Sequence, residues 1–118
     1  METQTERRGH DFLPKGTSGL AALYDTEDIK TGDKLVALHY FIGGSHWYLC
    51  EVDTQEARAF GWCVLGGDTD LAEWGYVSLE ELEKINIRGN IVERDLNWET
   101  LTARECLPSV AWKWQDCR

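Results

Sequence analysis

"KLVALHYFIGGSHWYLCEVD", residues 34–53, decides the fold. In it Val36, Leu38, Tyr40 and Ile42 alternate with Leu35, Ala37, His39 and Phe41, the period of two that a pleated strand imposes on its side chains. Gly43 and Gly44 then interrupt the run with residues suited to a tight turn. From His46 to Val52 the chain resumes with aromatic and β-branched side chains, which a pleated surface accommodates well. The stretch reads as a β-hairpin.

Working outward, a turn near Asp53, Thr54 and Gln55 leads into "ARAFGWCVLGG" (57–67), where Phe60, Trp62 and Val64 share one face. Gly61 marks a bulge or a close backbone approach. A loop through Asp68 and Asp70 brings the chain to a short fourth strand near Trp74–Val77. In "WGYVSLEELEKI" (74–85), Ser78 followed by Glu81 fits a helix N-terminal capping box, and Leu79, Leu82 and Ile85 recur on one side of a helix starting at Leu79. Glu80, Glu81 and Glu83 are read as the solvated side, favoured by the positive end of the helix dipole. Asn86 and Gly89 supply the stop. "NIVERDLNW" (90–98) alternates as a further strand, and "PSVAWKWQDCR" (108–118) places Val110, Trp112 and Trp114 on one side, as an edge strand would.

Together these elements predict an α+β fold: an antiparallel meander sheet of about four to six strands, with one or two short helices packed on one face. Residues 1–17 show no sustained period and read as a flexible arm or loosely docked entry segment. Residues 18–118 form one domain, as suits a chain of 118 residues.

Composition limits the function classes. Twenty-one acidic against twelve basic side chains give a formal charge of −9, which repels phosphate backbones and argues against direct nucleic-acid binding. No apolar run reaches the roughly 20 residues that a membrane helix needs, and "METQTERRGHDF" lacks the apolar core of a signal peptide. The chain is therefore expected in the cytoplasm, away from membranes, with Cys50, Cys63, Cys106 and Cys117 as reduced thiols.

Catalytic signatures are sparse. There is no Gly-rich phosphate loop, no G-x-S-x-G elbow and no H-E-x-x-H. The scattered cysteines do not have zinc-ligand spacing, and Asp68, Asp70 and Glu73 fall short of a calcium-loop pattern. No metal or cofactor is expected. His39 or His46 with Cys50, Cys63 or the acids from Asp68 to Glu73 leaves open a small Cys/His or metal-dependent hydrolase, depending on strand register. Six tryptophans are many for so small a core. Trp62 and Trp74 are assigned to the interior, whereas Trp112 and Trp114 are candidate anchors for a partner or stacking surfaces for a sugar or nucleotide. Charge, tryptophan content and missing catalytic motifs together favour a non-enzymatic module that binds another protein, for example a basic nucleic-acid-handling enzyme. Its candidate residues are Asp68, Asp70, Glu73, Glu80, Glu83, Trp112 and Trp114.

The ordered segments "LYDTEDI" (23–29), "HWYLCEVD" (46–53), "FGWCVLGG" (60–67), "WGYVSLEELEKI" (74–85) and "IVERDLNWETL" (91–101) resemble the domain-of-unknown-function family 2958. The resemblance covers about Leu23 to Leu101. It implies a small accessory protein of a plasmid, integrative element or phage, a setting in which acidic inhibitors of host defence enzymes recur. It transfers no catalytic residue. The amino-terminal segment and the Trp-rich end after Pro108 depart from the family pattern.

Overall fold

The computed structural model describes residues 3–15 and 20–113. In chain order the helices are α1 (Thr5–Arg8), α2 (Leu79–Lys84), α3 (Ala103–Cys106) and α4 (Ser109–Trp112). The strands are β1 (Leu35–Val36), β2 (Leu38–Ile42), β3 (Ser45–Asp53), β4 (Arg58–Val64), β5 (Glu73–Ser78), β6 (Asn86–Ile87), β7 (Asn90–Ile91), β8 (Glu93–Arg94) and β9 (Leu101–Thr102). The predicted meander is present: β2 to β5 are sequential antiparallel neighbours, and β8 adds a fifth strand beside β2, giving the order β5-β4-β3-β2-β8. Two-stranded pairs β1-β9 and β6-β7 flank this sheet.

The β2–β3 hairpin turns on Gly43 and Gly44 with Ile42 opposite Ser45. Gly43 has a positive φ of 55°, the conformation that a two-residue hairpin turn requires at its first position and that glycine adopts without a Cβ penalty. Gly61 is the close approach read from the sequence. A Cβ there would lie 2.0 Å from the Tyr48 carbonyl oxygen, because β3 bulges against β4 between Leu49 and Glu51. Cys50 is the extra residue. The bulge reverses the alternation, so that Val52 joins Leu49 on one side of the sheet while Glu51 comes opposite Phe60 on the other.

Both sides of the sheet are covered. Leu38, Tyr40, Trp47, Leu49 and Val92 pack with Leu79 and Leu82 of α2 and with Phe12 of the entry segment. On the opposite side Val36, Phe60, Trp62, Val64 and Trp74 pack against Ala103, Leu107 and Ala111 of the carboxy-terminal helices. Trp62 and Trp74 are buried, as expected. Ser78 Oγ accepts from the Glu81 amide at 3.2 Å and starts α2 as read. A reciprocal capping box, not foreseen, opens α3 at Thr102 and Glu105.

Two expectations change. The alternation at Val110 and Trp112 does not form an edge strand. Pro108 instead precedes a single helical turn whose Ala111 is buried, and the Trp74 indole donates to the Ala111 carbonyl at 3.0 Å. Four residues are too few for a period to decide between helix and strand, and burial of the small Ala111 against the sheet decides it here. The entry segment is also held more tightly than its composition suggests. Phe12 is fully buried with its ring 4.5 Å from that of Tyr40, and Arg8 is buried with it. Residues 1–2 and 16–17 of that predicted arm lie outside the described residues.

A further buried polar cluster fixes the chain between residues 20 and 34. The Glu51 carboxylate accepts from the backbone amides of Tyr24 at 2.7 Å and Thr26 at 3.1 Å and from the Thr26 hydroxyl. Buried Lys34 donates to that same hydroxyl at 2.9 Å and to the Thr26 carbonyl. Thr26 thus links a buried cation to a buried carboxylate, which offsets the cost of taking both from water.

Candidate functional site

Two ladders bring the polar groups of the site together. Across β2 and β3, His39 pairs with Tyr48 and Phe41 with His46, so both imidazoles stand on the same side of the sheet. Across β2 and β8, Tyr40 pairs with Arg94 and Phe41 with Glu93. One rung further on, the Asp95 amide donates to the His39 carbonyl at 2.8 Å. His39 is consequently held between Asp95 and His46: its Nδ1 lies 3.0 Å from Asp95 Oδ2, and its Nε2 lies 2.9 Å from His46 Nδ1.

Aromatic rings fix this rail in place. His39 stacks on Tyr48 with centroids 4.5 Å apart and planes 3° from parallel, and Trp98 packs across it at 5.2 Å. The Trp98 indole is itself anchored to the Val36 carbonyl at 2.9 Å. The His46 pKa is lowered, first by burial and then by the charge of His39, which favours a neutral imidazole. Burial, followed by the charges of Cys106 and Asp95, raises the Tyr48 phenol and keeps it protonated.

His46 and Tyr48 form one wall of a cleft of about 840 Å³ between the sheet and the carboxy-terminal helices. Trp62 lies at its apolar interior, Asp70 enters from the β4–β5 connection, Cys106 enters from α3, and Glu73 borders the cleft at the start of β5 with its side chain on the Cys63 side of the sheet. Among the described residues, no Lys or Arg lines the cleft. Leu71 is 77% exposed and Val110 54% exposed at this cleft. A short 3-10 turn positions the acids: the Asp68 carboxylate accepts from the amides of Asp70 at 3.2 Å and Leu71 at 3.3 Å.

Of the residues anticipated for binding, Asp70 lies in this cleft, with exposed Asp68 holding the turn beneath it, and exposed Glu73 stands at its border with its side chain on the Cys63 side. Glu80 is exposed on α2 and pairs with Lys84 at 3.0 Å. Glu83 does not belong to an exposed acidic face. Its side chain is fully buried against Arg8 at 2.9 Å, because the entry segment covers that side of α2. Trp112 is half-buried, with the Arg104 guanidinium 4.8 Å and the Lys113 ammonium 5.5 Å from its ring centroid. Trp114 lies outside the described residues.

The two histidines do come together, but with Asp95 and not with a thiol. Cys63 lies across from Trp47 on the other side of the sheet; burial, then Glu73, pushes its pKa up to about 11. Cys106 is likewise pushed up to about 11, by burial and then Glu105. A protonated thiol is a poor nucleophile and a poor metal ligand. Cys63 and Cys106 are free, and Cys117 lies outside the described residues. Among the described residues, no group of three or more His, Cys, Asp and Glu is placed to hold a metal ion. No described helix is long and apolar enough to cross a membrane. Asp95, Tyr48, Trp98 and Cys106 were not singled out from the sequence as site residues. The spacing across the Gly43-Gly44 turn was a usable signal for Tyr48, whereas Asp95 depends on a non-local pairing.

The model of the family described as Protein of unknown function (DUF2958) matches residues 19–107. The chain belongs to this family. The matched span contains the whole rail and most of the cleft; the entry segment with Arg8 and Phe12, and helix α4, lie outside it. No curated protein and no solved structure matches the chain.

Proposed function

We propose that this member of the DUF2958 family is a non-enzymatic accessory protein of a mobile element or phage. It works in the cytoplasm by binding a basic protein, such as a nucleic-acid-handling or defence enzyme. The observation that carries this reading is that Asp70 shares one cleft with the exposed Leu71 and Val110 and with the interior ring of Trp62, and that exposed Glu73 stands at the same edge of the sheet. Exposed apolar side chains beside fixed charges are what a docking surface presents, and a net charge of −9 steers a basic partner towards it while repelling nucleic acid. Capture from host lysate tests this directly. Asp70→Lys with Glu73→Lys should reduce recovery of a basic partner at least tenfold, and recovery indifferent to the double reversal would overturn the reading.

A small hydrolase is the second reading, and the His39–Asp95 contact at 3.0 Å favours it. Among the described residues no nucleophile is bonded to either histidine, and the Cys106 thiol is held protonated. Sugar or nucleotide stacking on Trp112 has less support, because Arg104 and Lys113 already occupy the surroundings of that ring.

A further inference from the structure

The rail of Asp95, His39 and His46 has a consequence for what the cleft binds. An ionised Asp95 can only accept, so His39 Nδ1 carries the proton in that 3.0 Å contact. With both imidazoles neutral, His39 Nε2 is then a lone pair, and His46 Nδ1 must be the donor in the 2.9 Å contact. His46 Nε2 is left as a lone pair on the residue that lines the cleft. Adding one proton to the rail reverses this wherever the proton rests. On His46 it protonates Nε2 itself; on His39 or Asp95 it turns the intervening hydrogen bonds around and again leaves His46 with an Nε2–H. The rail therefore sets the outer nitrogen of His46 as acceptor or donor according to one proton.

The other lining groups agree with the acceptor state. Asp70 brings negative charge, Tyr48 brings aromatic surface, and among the described residues no cationic side chain lines the cleft. A flat cation with several N–H donors suits such a lining better than a compact ammonium, since guanidinium both stacks on rings and donates along a fixed fork. We propose that the cleft is an arginine-binding site. The guanidinium of a partner's arginine donates to His46 Nε2 and lies against the Tyr48 wall, with Asp70 supplying charge and Asp95 and His39 acting as positioning residues. This rests on the protein-binding reading above and names the partner's anchoring side chain.

Binding should also depend on pH. The groups around His46 are His39 on β2, Tyr48 on β3, Asp95 after β8, Asp70 from the β4–β5 connection and Cys106 on α3, while Glu73 at the start of β5 lies on the Cys63 side of the sheet. The His46 pKa is lowered from the ordinary imidazole value. The acceptor state is lost as falling pH adds one proton to the rail, where an Nε2–H facing a guanidinium replaces attraction with repulsion.

The test is nitrogen-15 NMR of the full chain at pH 7.5, titrated with N-acetyl-arginine methylamide and, separately, the lysine analogue. The expected result is an unprotonated, pyridine-like His46 Nε2 whose resonance shifts with the arginine probe, at least tenfold weaker binding of the lysine probe, and loss of the response at acid pH. Asp95→Asn leaves the cleft lining intact but can present an N–H to His39. It should put the proton on His46 Nε2 and weaken the arginine probe tenfold or more; His46→Ala should do so with Asp95 unchanged. An Nε2 already protonated at pH 7.5, equal response to both probes, or folded variants that bind as the parent does would each overturn the assignment. If partner capture responds to reversal of Asp70 and Glu73 but not to Asp95→Asn or His46→Ala, the protein-binding reading stands and the arginine site falls.

Discussion

Replacing Arg8 by Ala tests how firmly the entry segment belongs to the fold. The Arg8 guanidinium donates to the Glu83 carboxylate at 2.9 Å, the Glu83 carbonyl at 3.3 Å and the Val92 carbonyl at 2.7 Å, and lies 4.9 Å from the Phe12 ring centroid. Both charged side chains are fully buried. Without Arg8, the Glu83 carboxylate keeps its bonds from Thr3 and Gln4 but loses its countercharge. Removing one member of a buried ion pair costs roughly 3–5 kcal/mol, so about 4 kcal/mol is expected out of a total stability of about 5–15 kcal/mol. In a domain of this size that is a fall of roughly 15 °C in melting temperature. Urea denaturation followed by tryptophan fluorescence measures it. Removing both charges in Arg8→Met with Glu83→Leu should recover about half the loss or more, because no uncompensated carboxylate remains. The pH dependence gives an independent readout. Burial alone would raise the Glu83 pKa, but bonds from Thr3, Arg8 and Gln4 outweigh it and hold the carboxyl below its ordinary value. Its contribution is therefore fully present above the unfolded carboxyl pKa of about 4.3 and is lost as pH falls through the lower folded value. The advantage of the parent over the double variant should shrink in that acid window. A single-variant loss under about 1 kcal/mol would refute the claim that this pair pins residues 3–15 to the sheet.

Gly61→Ala should destabilise by about 3 kcal/mol, since the new methyl meets the Tyr48 carbonyl and the Leu49 backbone, neither of which is a flexible side-chain end; a denaturation midpoint within error of the parent would contradict the bulge geometry. Thr102→Ala removes the side-chain arm of the capping box on α3 while the backbone amide at 102 still donates to Glu105; it should cost about 1 kcal/mol, with the amide exchange of Glu105 accelerating in step. An unchanged Glu105 exchange rate would mean that the cap does not hold this helix.

Local patterns were legible wherever two neighbouring signals agreed. The hairpin at Gly43-Gly44, the third strand through Trp62, the fourth at Trp74 and the helix begun by Ser78 were all readable, because turn chemistry and side-chain period pointed to the same element. Glu83 was read as solvated for the same local reason: on α2 alone it shares the acidic character of Glu80 and Glu81. What buries it is Arg8, 75 residues away in sequence, and such a pairing leaves no periodic trace. The carboxy-terminal segment failed differently. Val110 and Trp112 satisfied a two-residue period over a span in which one helical turn after Pro108 places Ala111 inward equally well, and the decision came from the Trp74 indole and the sheet.

The rail shows how far register reasoning reaches. A two-residue turn at Gly43-Gly44 admits one pairing, and that pairing already sets His39 against Tyr48 and His46 one step along the same side. The approach of the two histidines was thus contained in the hairpin. Asp95 was not, because β8 reaches β2 only after the chain has passed through β4, β5 and α2, and a shift of one residue there would turn the carboxylate to the opposite side of the sheet. That non-local choice decides the chemistry. With Asp95 on the histidine side, the proton on His39 is fixed and the lone pair is carried through to the cleft; with Asp95 turned away, the same two histidines would have no imposed direction. The register of a two-residue strand, Glu93 against Phe41 and Arg94 against Tyr40, is therefore the structural fact from which the ligand preference of the cleft follows.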